Sequence, residues 1–434
     1  MFFLRHFAVK LFPHSAGLLT AATCFIAAHA AAAAGDPAAR FLKAEGAVLR
    51  DRTGAAVQLR GVNLGGWLEW QAWMCPMDSS KTLRDGNPGH NGYDFEARKL
   101  LTQRFGAVGA ENLLNVYQDA WFGPHDLDNI RSLGFNVVRL SIGYDTLLRD
   151  DGSWRPDAFT RMDWLVQQAW QRGLYTILDY HAFLPPGADQ NGGVTGYWSN
   201  AVQKAETVRI WQRIAQHYRG QPAIAMFDLL NEPTNSQPTG EGALKPAVVC
   251  ELYDELYRAI RAVDPDHVIA MEGMWDWRTL RDPAKSGYQN VVYSFHWYNW
   301  GGKTTADRNR ATDNDLRGVA ALNQTWHVPA FIGEFNHFGD KAAWKYALEK
   351  YDEQRLSWTL WTYKNTASGN NSWGVFTTIP GKVPPVPNLV TDSADTIRST
   401  WKAWATSTNN FALNPLFKTL LLPVGSQKSG AGKN

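Results

Sequence analysis

The chain has 434 residues, 44% hydrophobic and 19% charged, and 43 Lys and Arg against 41 Asp and Glu leave a net charge of +2. So even a balance gives no basis for nucleic acid or an anionic membrane as a partner, and the length allows one large domain or several smaller ones. The aromatic content is less ordinary: 20 Trp and 15 Tyr can fill a core or stack on flat apolar faces, those of sugar rings included.

Residues 1–34 read as an export signal. Arg5, His6 and Lys10 make a basic start, Ala16 to Ala34 is apolar and alanine-rich, and Ala28-His29-Ala30 and Ala32-Ala33-Ala34 are small-residue cleavage sites. A secreted or periplasmic protein is expected, with no later stretch apolar and long enough for stable membrane insertion. Cys24 would leave with the signal, and Ala21-Ala22-Thr23 before it make a poor lipoprotein box. Cys75 and Cys250 remain, and export permits but does not require a disulfide between them.

Ala47 to Arg60 predicts a β-hairpin turning at Asp51-Arg52-Thr53-Gly54. Eight strand candidates follow: Leu59 to Leu64, Val137 to Ile142, Tyr175 to Asp179, Ile224 to Leu230, Val268 to Glu272, Val291 to His296, Ala330 to Glu334 and Ser357 to Thr362. Most are continuous apolar runs, as parallel strands covered on both faces require. Helix patterns lie between them. Leu252, Leu256, Ile260 and Val263 repeat at helical spacing before Pro265, and Asp126 to Gly134 reads as a helix ended by glycine. The expected fold is a single (β/α)8 barrel of the TIM type over 35–424, with long cleft-shaping loops between Gly65 and Asn136 and a disordered tail at 425–434.

Active sites of such barrels gather at the C-terminal strand ends, and chemistry-bearing residues collect there. Strand two carries Arg139, and strand three ends at Asp179-Tyr180-His181. Strand four ends at Asn231-Glu232, strand six at His296-Trp297-Tyr298, strand seven at Glu334, and strand eight carries Trp361. Leu230-Asn231-Glu232-Pro233 and Ile332-Gly333-Glu334-Phe335 each finish an apolar run on a glutamate, which is costly unless the carboxylate is used. Two carboxyls facing one cleft can break a glycosidic bond, one as an acid with a raised pKa, the other as an ionised nucleophile. An arginine and a tyrosine hydroxyl would keep the second one charged and aimed. Asn231 could bond the sugar 2-hydroxyl, and Trp361 could floor the cleavage point.

These pieces, in this order, resemble glycoside hydrolase family 5, the retaining cellulase family. The match comprises Arg139 in Val138-Arg139-Leu140-Ser141, His181 in Leu178-Asp179-Tyr180-His181, Asn231-Glu232-Pro233, His296 with Tyr298, Gly333-Glu334, and Trp361. The resemblance implies Glu232 as acid/base, Glu334 as nucleophile, and Arg139, His181, Asn231, His296 and Tyr298 as the supporting shell. It also implies a β-glucan substrate, β-1,3- or β-1,4-linked, with no metal or organic cofactor; a monomer is expected. Leu59 to Leu68, Asp189-Gln190-Asn191-Gly192 and Leu360-Trp361-Thr362-Tyr363-Lys364 are similar to the exo-β-1,3-glucanase branch. Ala182 to Gly187 and Glu69 to Cys75 depart from that branch.

Other classes fare worse. No Gly-x-Ser-x-Gly and no His-Glu-x-x-His occurs, and Gly301-Gly302-Lys303-Thr304 lacks the upstream glycine of a phosphate loop. A glycan-binding barrel without hydrolysis, or a transglycosylase, would share the same fold.

Overall fold

In a computed structural model, the chain is described at residues 40–71, 73–77, 93–183, 194–234, 243–273, 276–369 and 372–421. The expected export signal, the loop residues 184–193 with Asp189-Gln190-Asn191-Gly192, and the tail at 425–434 lie outside them.

All eight predicted strands form, and they close into one parallel barrel. They are β1 (Arg60–Asn63), β2 (Val137–Gly143), β3 (Tyr175–Ala182), β4 (Ile224–Asp228), β5 (Val268–Glu272), β6 (Val291–Tyr298), β7 (Ala330–Asn336) and β8 (Ser357–Leu360). The strands pair in chain order, and β8 closes onto β1 through Trp358 opposite Arg60. Every residue of β2 and β7 is buried, because helices cover the barrel outside while side chains fill its inside.

Local sequence sets the helix boundaries. Helix Pro124–Ser132 starts on a proline whose missing N–H costs nothing there, and Asp126 accepts the Gly123 N–H at 2.8 Å. Helix Pro246–Arg261 also begins on proline and buries the predicted Leu252, Leu256 and Ile260. The supposed phosphate-loop remnant is a helix start: Thr304 caps helix Thr305–Trp326 in a reciprocal box with Asp307.

Two expectations are met and gain detail, the hairpin forming with Leu49 opposite Val57. The hairpin is a three-stranded antiparallel sheet, Lys43–Glu45, Val48–Arg50 and Ala56–Val57; the turn is as read, with Asp51 Oδ1 accepting the N–H of Thr53 and Ala55 at 2.9 and 3.1 Å. Leu42 and Leu49 from this segment share a core with Val137, Ile177, Val268 and Val292 near the strand starts, so it plugs the N-terminal barrel mouth. Among the described residues, the stretch from Gly65 to Asn136 leaves β1 as a loop and then adds the helices Tyr93–Trp121 and Pro124–Ser132. Tyr93–Trp121 is helical apart from a break at Gly106, which adopts φ 71° and ψ 166°; alternating small, polar and apolar residues there hid the period.

After β8 the chain adds a small sheet, Lys364–Ser368, Phe376–Thr378 and Phe411–Leu413, and helix Ala394–Lys402, which packs on helix Tyr93–Trp121. Lys364 anchors this extension. Its buried ammonium donates to the Trp121 and Trp404 carbonyls at 2.9 and 2.6 Å and lies 4.4 Å from the Trp121 ring. Burial depresses its pKa to about 8, partly opposed by Asp126. Cys75 and Cys250 are buried, and no disulfide joins them to each other.

Candidate active site

The C-terminal mouth gathers every site residue expected from the sequence. Arg139 in β2 is fully buried and organises the others. Its Nε donates to Asp228 Oδ2 at 2.9 Å, Nη1 to Asn63 Oδ1 at 2.9 Å and Glu334 Oε1 at 3.1 Å, and Nη2 to Asn231 Oδ1 at 3.1 Å. Nη2 also pairs with Asp179 Oδ1 at 3.1 Å. Burial works against its charge, but Asp179, Asp228 and Glu334 outweigh it and keep the guanidinium protonated.

Glu334 projects from β7 beside a register shift between Ile332 and Glu334. The bulge needs Gly333, because a Cβ there would sit 2.8 Å from Ser294 Oγ and 2.9 Å from His296 Nε2. The Gly333 carbonyl accepts from Asn63 Nδ2 at 3.0 Å and Thr359 Oγ1 at 2.6 Å, which fixes the direction of the next side chain. The Glu334 carboxylate takes the Arg139 bond on Oε1, and Oε2 accepts from Tyr298 Oη at 2.7 Å. Burial first, then Glu334, holds the Tyr298 phenol far above its ordinary pKa, so it remains a donor.

Glu232 has a different setting. It lies past the end of β4 in a left-handed backbone conformation, φ 43°, and its side chain is 33% exposed. Oε1 is 2.9 Å from His296 Nδ1. Burial raises its pKa, but the His296 hydrogen bond and the charges of His296, His181 and Arg139 overcompensate and hold it below the usual carboxylate value. The expected raised pKa is therefore not found: burial acts in that direction, and the hydrogen bond and charges around this carboxyl outweigh it.

His181 Nδ1 lies 2.8 Å from Asp179 Oδ2, and its ring stacks on Trp361 with centroids 4.9 Å apart. Burial lowers its pKa, but Asp179 and Glu69 outweigh this and raise it to about 9. The loop after β1 closes this side: Gln71 Nε2 reaches within 3.5 Å of His181 Nε2, and Trp73 Nε1 donates to Gln71 Oε1 at 2.6 Å. An aromatic rim runs outward from Tyr298. Trp300 stacks on it at 5.7 Å and meets Phe338 and Trp373 at 4.9 and 5.8 Å, and Trp73 touches Trp373 at 5.3 Å. Trp300 is 70% exposed.

Four buried groups escaped the sequence reading. Asn63 and Asp228 are Arg139 partners, while Glu69 and Glu272 are each 1% exposed. Burial raises all three carboxyls, Asp228 to about 7 against the pull of Arg139. Glu272 was legible: it ends the apolar run Val268–Glu272, the same signal that marked Glu232 and Glu334.

An eight-stranded barrel with paired carboxyls at its C-terminal mouth defines a class of enzyme, and comparison with known proteins narrows it. The profile of the cellulase family, glycosyl hydrolase family 5, matches residues 105–367. The chain belongs to this family and is a glycoside hydrolase. It is 27% identical over 361 residues to a "Beta-xylosidase" of Phanerodontia chrysosporium, covering 75% of this chain and 71% of that one. It is 30% identical over 185 residues to a "Glucan 1,3-beta-glucosidase" of Blumeria graminis, covering 41% of each. Among solved structures it resembles an endogalactoceramidase with a TM-score of 0.57 at 19% identity, covering 75% of each chain, a likeness of fold. No described helix is long and apolar enough to cross a membrane.

Proposed function

We propose that this chain is a secreted or periplasmic enzyme that hydrolyses β-glucan by double displacement with retention, Glu334 acting as nucleophile and Glu232 as acid/base. The observation that carries the reading is the carboxyl pair. A carboxylate oxygen of Glu232, one of Glu334 and a His296 ring nitrogen lie within 4.8 Å of one another. Retaining glycosidases hold their carboxyls about 5–5.5 Å apart, whereas inverting ones need about 6.5–9.5 Å to seat a water between them.

The two environments divide the labour. Arg139 and Tyr298 direct donors at Glu334, whose carboxylate attacks the anomeric carbon. As the new C–O bond forms, the bond to the leaving oxygen breaks, and Glu232 gives that oxygen its proton. Glu232 then takes a proton from water, the water oxygen attacks the same carbon, and Glu334 leaves as a carboxylate. Asn231, oriented by Arg139, is placed to bond the sugar 2-hydroxyl, and Trp361 to lie under the ring. None of these steps calls for a metal or organic cofactor.

Proton NMR of a fresh digest tests the reading: the β-anomer should appear first, and first appearance of the α-anomer would overturn it. Likeness to a glucan 1,3-β-glucosidase supports laminarin as first substrate. Carboxymethyl-cellulose, mannan, a glucosylceramide and, given the β-xylosidase likeness, an aryl β-xyloside complete the panel. The exposed rim around Trp300 favours a second reading, transfer of the glycosyl group to an acceptor sugar, which would show as products longer than the substrate.

A further inference from the structure

Strand β5 ends on a carboxyl that the mechanism above leaves unused. Glu272 is 1% exposed, too buried to meet a sugar, and its Oε2 accepts the backbone N–H of Glu232 at 2.6 Å. That amide belongs to the residue with φ 43°, a conformation strained for any residue with a side chain, which persists only where its surroundings impose it. Glu272 is itself clamped. The Tyr253 hydroxyl, from helix Pro246–Arg261, accepts its N–H at 3.0 Å and donates to its carbonyl at 3.1 Å. The other carboxyl oxygen, Oε1, has no hydrogen-bond partner among the described residues and lies 3.6 Å from His296 Nδ1. That nitrogen is the one 2.9 Å from Glu232 Oε1. A single buried carboxyl therefore meets Glu232 twice, through its main chain and beside its histidine.

We propose that Glu272 is a positioning residue for the acid/base: it holds the left-handed turn at Glu232 and thereby aims that carboxyl at the leaving oxygen. The inference rests on the acid/base reading of Glu232. The groups facing Glu272 are Asp228 from β4 and Glu232 just past it, His296 from β6, Arg139 from β2 and Tyr253. Burial first, then Glu232 and Asp228, raises its pKa well above the ordinary carboxylate value against the pull of Arg139. A neutral carboxyl accepts an amide N–H through its carbonyl oxygen, and a glutamine amide does the same.

Leaving-group dependence tests this. Proton donation matters most when the departing oxygen is a poor leaving group and little when it is 2,4-dinitrophenolate. On aryl β-glycosides of the sugar that the wild type releases, Glu272→Ala should lower kcat/KM about 10- to 100-fold for a methylphenyl leaving group and less than about threefold for dinitrophenyl. Glu272→Gln should stay within about threefold of wild type on both. Should Glu272→Ala fail to fold by circular dichroism, Glu272→Asp, one methylene short of the Glu232 amide, decides by the same comparison. Equal losses on both leaving groups, or no loss, would overturn the inference while leaving the enzyme's assignment intact. A wild type inert on every β-glycoside would overturn the functional reading and this inference with it.

Discussion

In the proposed mechanism Glu334 and Glu232 are the same residue type put to two uses by their neighbours. Glu334 faces a guanidinium and a phenol, and Glu232 faces a histidine and the cleft. Replacing either by alanine should lower turnover of β-glucan by several orders of magnitude. Azide should rescue Glu334→Ala and give a glycosyl azide of inverted configuration, where a retained one would assign Glu334 the other role. The pH profile follows from the second setting. Only protonated Glu232 can donate, and His296 holds its pKa down, so kcat/KM should fall as pH rises, with an optimum on the acid side. His296→Asn removes that hydrogen bond, so the falling limb should move to higher pH, as read from rate profiles of both proteins. Electrostatic detail of this kind was not legible beforehand. The acid's role called for a raised pKa, and the groups that reverse it, His296, His181 and Arg139, come from other strands.

At the scale of elements, strands were the most legible and their ends the most informative. Eight apolar runs became eight strands because burial on both faces leaves a continuous signal. β7 shows how an element aims a residue. Its bulge depends on the missing Cβ of Gly333, so Gly333→Ala should push Ser294 and His296 apart and turn Glu334 off its donors. A fall in kcat of tenfold or more, with a smaller change in KM, is expected from steady-state kinetics, and the melting temperature should drop by several degrees. Helix Tyr93–Trp121 was the element least visible in the sequence. Its Gly106 break and scattered apolar residues spoil the 3.6-residue period, and its partner, helix Ala394–Lys402, lies far along the chain. Glu272 ends its apolar run as the other two glutamates do, but its partner, the Glu232 backbone N–H, shows only in the geometry.

The whole molecule is a barrel with one end sealed, the other catalytic, and a C-terminal extension fastened by Lys364. Lys364→Met keeps much of the volume but strips donors from the carbonyls of Trp121 and Trp404. Leaving these two buried acceptors unpaired costs about 1–3 kcal/mol each, so urea unfolding at pH 7 should show a loss of up to about 6 kcal/mol, less what removal of the buried charge returns. The sign reverses the simple view of a buried charge: above pH 8 the native amine sheds its proton before the unfolded one, so this residue's desolvation cost falls as pH rises to about 10.5. Long-range links of this sort leave no trace in local sequence, whereas the barrel did, through repetition. The sheet from Lys43 to Val57 has a consequence of a practical kind. It occupies the end of the barrel opposite the carboxyls, so the polypeptide enters the fold from behind the catalytic face. An affinity handle or a bead coupled ahead of Arg40 would present the cleft outward, toward an insoluble polysaccharide too large to diffuse to it.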